Sequence, residues 1–322
     1  MAGRLLLNLV LLSSVLWPQR GAAAARPTLR QVADRLATPD TVVVVANARS
    51  GEELFSGGFA EDAMPPGSVF KLVVALAAGY ERPQALEQPR YCPPKPSPED
   101  AAPDGHGWIV LEDALAHSCN RYFAQLGREL GAARLWRTAS RLAPGWPKVR
   151  PPAIPADELA LGTGVRMTAH QQVALLRTVA TDWISAGQPA PPPATLRRIR
   201  EGLCRSVSEG TARAVALSHP PSRPRRPGAD AGSLRLPSSG SADASSFTIC
   251  GKTGTSLLDG STVGWFGGYA PAAEPEVIIV VGLVGFVWLG IWQFVYKRPE
   301  ENTKMNAAER AYINQDIDRK ST

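Results

Sequence analysis

The placement of the β-branched runs constrains this chain more than any other feature. Thr41-Val42-Val43-Val44-Val45-Ala46-Asn47 lies near the start, while Phe247–Thr253, Thr262–Tyr269 and Glu276–Val284 lie near the end. Such runs form strands, and strands are stable only when paired. Strands at both ends with helices between them therefore predict one sheet assembled from distant segments. A turn over Ala48–Glu53 and a second strand at Leu54-Phe55 follow the first run. Pro65-Pro66-Gly67 then breaks the pattern, and Ser68 opens an Ala/Leu/Val stretch to Ala78 that reads as a buried helix.

Helical patterns recur at roughly 110–142 and 168–182, and a further helix is expected over Leu196–Leu217. Residues 81–107 are proline-rich with little periodicity and are expected to form a long surface loop. His219–Ser246, rich in Pro, Ser and Gly, reads as mobile. No internal repeat is visible.

Composition excludes several classes. A chain of 322 residues with 44% hydrophobic and 20% charged residues is not wholly disordered, and it holds one large or two small domains. The net charge is a mild +6. The one dense basic run, Arg223-Pro224-Arg225-Arg226, sits in the Pro/Ser/Gly-rich stretch and reads as a solvated loop, so no nucleic-acid partner is expected. Arg4, the apolar run Leu5–Trp17 and the small residues Gly21–Ala25 describe a secretory signal over residues 1–25, with an uncleaved anchor as the alternative. Either places the following domain outside the cytoplasm. The four cysteines, Cys92, Cys119, Cys204 and Cys250, allow three full pairings, and lone buried thiols are the default reading. There is no C-x-x-C or H-E-x-x-H, so neither a metal nor a cofactor is expected.

Three short patterns carry the chemistry. In Ser68-Val69-Phe70-Lys71, a helix starting at Ser68 puts Lys71 one turn later on the same face. A serine hydroxyl needs such a base to become a nucleophile. Ser118-Cys119-Asn120 follows the helical stretch Glu112–His117 and can direct a hydroxyl and an amide into one cleft. In Lys252-Thr253-Gly254-Thr255, strand alternation puts Lys252 and Gly254 on one face. Gly254 admits a substrate backbone, and Lys252 with the two threonine hydroxyls makes a receptor for a carboxylate. Taken singly each pattern is weak: Ser-x-x-Lys is equally a helix cap beside a solvated lysine, and Ser-x-Asn suits any turn. Together they are specific. They occur once each, in this order, and two of the only four lysines before residue 297 stand inside them.

With this trio the chain resembles the penicillin-binding protein transpeptidase and serine β-lactamase superfamily over about 41–284. Met64-Pro65-Pro66-Gly67, Leu159–Gly164 followed by Met167-Thr168-Ala169, Arg200–Ala212 and Gly264–Pro271 extend the likeness. The resemblance implies an α/β (α+β) fold, a mainly antiparallel sheet flanked by helices, with a helical subdomain supplying Ser118 and Asn120. It implies that Ser68 is acylated, Lys71 is its base, Ser118 relays a proton and Asn120 holds the substrate's peptide. Lys252, Thr253 and Thr255 would bind the terminal carboxylate beside Gly254, and the N–H groups of Ser68 and Thr255 would form the oxyanion hole. The implied partners are peptidoglycan stem peptides ending in D-Ala-D-Ala and the β-lactams that mimic them. The expected activity is D-Ala-D-Ala transpeptidase or DD-carboxypeptidase; a β-lactam-binding sensor and a serine β-lactamase are the alternatives. Glu158-Leu159-Ala160-Leu161-Gly162 does not match the Glu-x-x-Leu-Asn setting of the class A deacylation base, and Cys119 replaces the middle Asp. Both departures favour the transpeptidase.

The C-terminus departs further. Residues 277–296 are apolar apart from Gln293 and glycines, and Lys297-Arg298 follows, a pattern a membrane span would also show. Phe286–Ile313 resembles a cytoplasmic segment of major-facilitator anion–cation symporters. Three of the seven lysines fall in the last 26 residues, so composition changes there. The expected division is a signal at 1–25, the domain at 26–284 and an atypical tail at 285–322. The tail is read as a fusion, with membrane association through a real anchor as the alternative.

Overall fold

Four consecutive valines are buried on both faces in β1 (Thr41–Asn47), none more than 1% exposed, because helices cover both faces of the sheet it belongs to. The computed structural model describes residues 28–94, 105–147, 154–184, 188–216 and 248–285. The chain divides into two compact units, 1–284 and 285–322, and of the second only Gly285 is described. Both the signal at 1–25 and the symporter-like stretch thus lie outside the described residues, as does the whole of the segment expected to be mobile, 219–246.

The sheet joins β2 (Glu53–Gly57), β1, β7 (Val277–Val284), β6 (Ser261–Ala270) and β5 (Cys250–Leu258) in that order, antiparallel throughout. The distant runs do meet: Val44 pairs with Val280, and Phe266 with Val281. β5 begins and ends later than its sequence pattern suggested. It is set by the hairpin at Asp259-Gly260, both at positive φ, which keeps it paired with β6 as far as Leu258. β7 lies between β1 and β6. Residues that form an interior strand are not available to begin a membrane span at Val277, so the apolar pattern read over 277–296 is in its first part a strand. Among the described residues no helix is long and apolar enough to cross a membrane.

On one face α1 (Leu29–Leu36), opened by a Thr28/Gln31 capping box, sets Ala33 against Val43, Val45 and Phe55. The other face carries the main core. There α8 (Ala169–Thr181) packs on the sheet, and Gly267 leaves room for Leu176. α2 (Lys71–Glu81) is buried from Lys71 to Gly79 and over that span is apolar all round apart from the lysine, as a central helix must be. Around it lie α4 (Leu111–Ala116), α5 (Asn120–Leu130), α6 (Ala132–Leu142), α7 (Ala156–Ala160) and α9 (Pro193–Ser208). α9 starts on Pro193 and stops at Ser208, short of the expected Leu217; Glu209–Ala212 forms a turn before α10 (Arg213–Ala216).

The expected loop over 81–107 is a second correction. It contains α3 (Gln84–Glu87) and a ribbon in which β3 (Arg90–Cys92) pairs with β4 (Gly107–Ile109). Three-residue strands are too short to show a period. Tertiary burial holds them: Arg90 Nη2 donates to Glu129 at 2.7 Å and Nη1 to the Ala85 carbonyl at 2.8 Å.

Candidate active site

Ser68 does not open the α-helix. It sits in the 3-10 turn Gly67–Phe70, and α2 begins at Lys71. The turn is wedged between two elements that carry no side chain where they touch it. A Cβ on Gly254 would come 2.5 Å from the Pro66 carbonyl oxygen, and one on Gly162 would strike the Gly67 carbonyl. Glycine is thus required on β5 and after α7 for the chain to approach this closely. Pro65 completes the setting: its carbonyl accepts from Ser256 Oγ and from Trp265 Nε1, each at 2.9 Å. Ser68, half-buried, is held at the junction of the sheet and the helical region.

Lys71 joins the first two motifs. Fully buried, its Nζ donates to Asn120 Oδ1 at 2.6 Å, to the Ser118 carbonyl at 2.6 Å and to Ser118 Oγ at 3.2 Å. The Phe123 ring lies 5.6 Å below it. These contacts satisfy a buried ammonium, which otherwise costs several kcal/mol.

Ser118 reaches Lys71 because the backbone turns sharply between α4 and α5. Its φ is 54°, the left-handed region that a non-glycine residue enters at a cost of about 1–3 kcal/mol. The turn is held by hydrogen bonds from Ser118 N to Leu115 O and from Cys119 N to Ala114 O. Cys119 caps α5, its Sγ accepting from Tyr122 N at 3.5 Å. Burial pushes this thiol up to about 11, so it is not a rival nucleophile at neutral pH. α4 is in turn fixed to α9 by Glu112 and Arg198, whose Nη2 donates to Oε2 at 2.7 Å. Burial acts to raise the Glu112 carboxyl, but the Arg198 hydrogen bonds outweigh it and hold the group below the usual range.

Lys252 and Gly254 share the buried face of β5, while Thr253 is half-buried and Thr255 exposed. Strand alternation therefore splits the expected carboxylate receptor. The Lys252 ammonium is wholly buried and donates to the Thr253 carbonyl at 3.0 Å, so it is not presented beside the threonine hydroxyls. Burial lowers it to about 7.

Two contributors were not singled out from sequence. Thr211 Oγ1 meets Thr253 Oγ1 at 2.8 Å, and Thr211 N donates to the Ala116 carbonyl at 3.1 Å, linking β5 to the helix before Ser118. Gly162 supports the Ser68 turn. Both lie in stretches marked by the family likeness, but a hydroxyl pair across 42 residues leaves no local pattern. Glu158 is exposed on α7. The cysteines also differ from the default reading: Cys204 and Cys250 form a disulfide from α9 to the first residue of β5.

The chain matches the family model described as penicillin binding protein transpeptidase domain over residues 41–285. It is 31% identical over 147 residues to the peptidoglycan D,D-transpeptidase PbpA of Mycolicibacterium smegmatis, covering 38% of this chain and 29% of that protein. With stage V sporulation protein D of Bacillus subtilis it shares 23% over 270 residues, 68% of this chain and 38% of that one. It thus spans about a third of the length of these curated relatives. Among solved structures it resembles Pseudomonas aeruginosa PBP2 in complex with WCK 5153 (TM-score 0.56, 20% identity, 79% of this chain and 69% of that chain). The D,D-transpeptidase domain of a peptidoglycan glycosyltransferase from Eggerthella lenta is similar too (TM-score 0.54, 19%, 78% and 74%). These likenesses show the α+β fold expected from the motifs. The symporter-like stretch 286–313 lies outside the family match.

Proposed function

This chain belongs to the penicillin-binding protein transpeptidase family, and we propose on that premise that it is an acyl-serine transferase acting on peptidoglycan stem peptides that end in D-Ala-D-Ala. The observation that carries this reading is the Lys71 ammonium, held between Ser118 and Asn120 at the start of the helix that follows Ser68.

In the proposed reaction Lys71, once neutral, takes the Ser68 hydroxyl proton as Oγ attacks the penultimate D-Ala carbonyl. The N–H groups of Ser68 and Thr255 receive the developing oxyanion. Ser118 relays the proton to the leaving nitrogen, and terminal D-Ala departs, leaving an ester on Ser68. An acceptor amine attacks that ester to form the cross-link and restores the serine; attack by water instead is the carboxypeptidase outcome. Asn120 positions the donor peptide. Thr253 and Thr255 receive its terminal carboxylate, Lys252 contributes its charge from the buried face of β5, and Gly254 lets the donor backbone lie along the strand. A β-lactam enters the same cycle, but its leaving group stays tethered.

The site of action belongs to the same proposal: outside the cytoplasm, with residues 1–25 as the export signal and residues 285–322 as a segment added to the domain. What supports the location is the chemistry of the substrate together with the N-terminal pattern.

The test is intact mass after mixing with benzylpenicillin, followed by turnover of a D-Ala-D-Ala peptide with an added amine. An adduct that Ser68→Ala removes, with D-Ala release and amide formation, supports the transferase. An adduct without D-Ala release reassigns the chain as a β-lactam sensor, and labelling that survives in Ser68→Ala removes the nucleophile assignment.

A further inference from the structure

Cys92 Sγ lies 3.2 Å from Cys119 Sγ and 3.3 Å from His106 Nδ1, and the three donor atoms are all within 4.8 Å of one another. Acyl transfer makes no use of them. Cys92 ends β3 and Cys119 caps α5, exposed 1% and 2%, while His106, just before β4, is partly buried.

The convergence is built into the backbone. His106 N donates to the Cys92 carbonyl at 3.1 Å. Gly105, at φ 72°, permits that approach, since a Cβ there would come 2.6 Å from the Cys92 carbonyl oxygen. The His117 ring stacks on His106 at 5.7 Å and limits its rotation.

The geometry points to a mononuclear site for a divalent cation of the zinc type, bound by the thiolates of Cys92 and Cys119 and the imidazole of His106. Two thiolates and an imidazole are a zinc donor set that leaves one tetrahedral position for solvent. Zinc–sulfur bonds of about 2.3 Å at the tetrahedral angle separate the sulfurs by about 3.8 Å. The observed pair has only to open by about half an ångström. Binding releases the two thiol protons, and the two thiolates cancel the charge of the cation, so it is tolerated beside the Lys71 ammonium. The competing fate is a disulfide between Cys92 and Cys119. A disulfide does not involve the imidazole, whose approach to the pair favours the cation. Once bound, the cation clips the β3–β4 ribbon to the turn that carries Ser118 and Asn120. Spacing gave no sign of this: the three residues come from three separate segments.

The test uses the full chain, stripped of metal, with the thiols of Cys92 and Cys119 reduced and counted. Titration with Co2+ should give thiolate-to-metal charge-transfer absorption that saturates at one ion per chain and is lost on adding Zn2+. Zn2+ should raise the melting temperature, as any ligand of the folded state does. Cys92→Ser and His106→Ala, each checked for a cooperative melt, should weaken Zn2+ binding by at least about 10–100-fold. The proposal is overturned if reduced wild-type protein shows no thiolate band with Co2+, or if both variants bind Zn2+ as tightly as the wild type. A Cys92–Cys119 disulfide that re-forms in the presence of Zn2+ while no ion is retained also overturns it, and assigns the pair to redox chemistry.

Discussion

Lys71 Nζ and Asn120 Oδ1 meet at 2.6 Å, an ammonium at the start of α2 donating to an amide at the start of α5 across 49 residues of sequence. The pair fixes which atom of the amide faces the lysine. It also makes the charge on Lys71 sensitive to residue 120. Asn120→Asp would set a carboxylate against the ammonium and hold it protonated, removing the base. Acylation by benzylpenicillin should then fall by about 10²–10⁴-fold, the usual contribution of a positioned base. Lys71→Ala should fall by a similar factor, and Asn120→Ala by less. Stopped-flow acylation rates check this, and an Asn120→Asp rate equal to wild type would sink it.

The acyl-enzyme should be long-lived. Glu158 is exposed on α7, and the Glu-x-x-Leu-Asn setting of a deacylation base is absent from its sequence context. At catalytic protein concentrations nitrocefin should show one stoichiometric burst and no steady turnover. Rapid steady hydrolysis would move the chain to the β-lactamase reading.

Lys252 makes both binding and stability depend on pH. Burial lowers it to about 7 from the ordinary 10.5. Between these values the unfolded chain carries a proton that the folded chain lacks, so this group makes stability rise with pH through the window. Below about 7 the folded chain must hold a buried cation. Lys252→Met should therefore raise the melting temperature, by more at acid than at alkaline pH, while abolishing capture of a carboxylate-bearing substrate. In the wild type, affinity for such a substrate should fall as pH rises through the lowered value. Melting curves and binding isotherms across pH read both limbs, and a Lys252→Met effect independent of pH would contradict the assignment.

The Cys204–Cys250 disulfide closes a 46-residue separation and ties α9 to the start of the strand bearing Lys252. Loop-closure arguments give it about 2–4 kcal/mol. The double change Cys204→Ser with Cys250→Ser should lower stability by that order in denaturant titrations. It should also slow acylation, because β5 loses its anchor two residues before Lys252. Unchanged stability would show that the loop between the cysteines is already restrained.

Sequence alone marked the long strands of the main sheet and the residue types a site could use. Thr41–Asn47 and Val277–Val284 carry enough β-branched surface to dictate strands wherever they find partners. Ser68, Lys71, Ser118, Asn120 and Lys252–Thr255 are legible because their chemistry follows from residue type and short spacing. Only the tertiary structure decided how they combine. The left-handed turn at Ser118 is held against its local preference by the packing of α4 and α5. Strand alternation, read with burial, turned Lys252 inward and left Thr255 at the surface. The β3–β4 ribbon, the Thr211–Thr253 hydroxyl pair and the Cys204–Cys250 disulfide each join residues too far apart, or too few in number, to leave a period. Local pattern reports the preferences of neighbouring residues. Contacts across 40 or more residues are selected by the shared burial of whole elements, and that free energy is written in no single stretch of the chain.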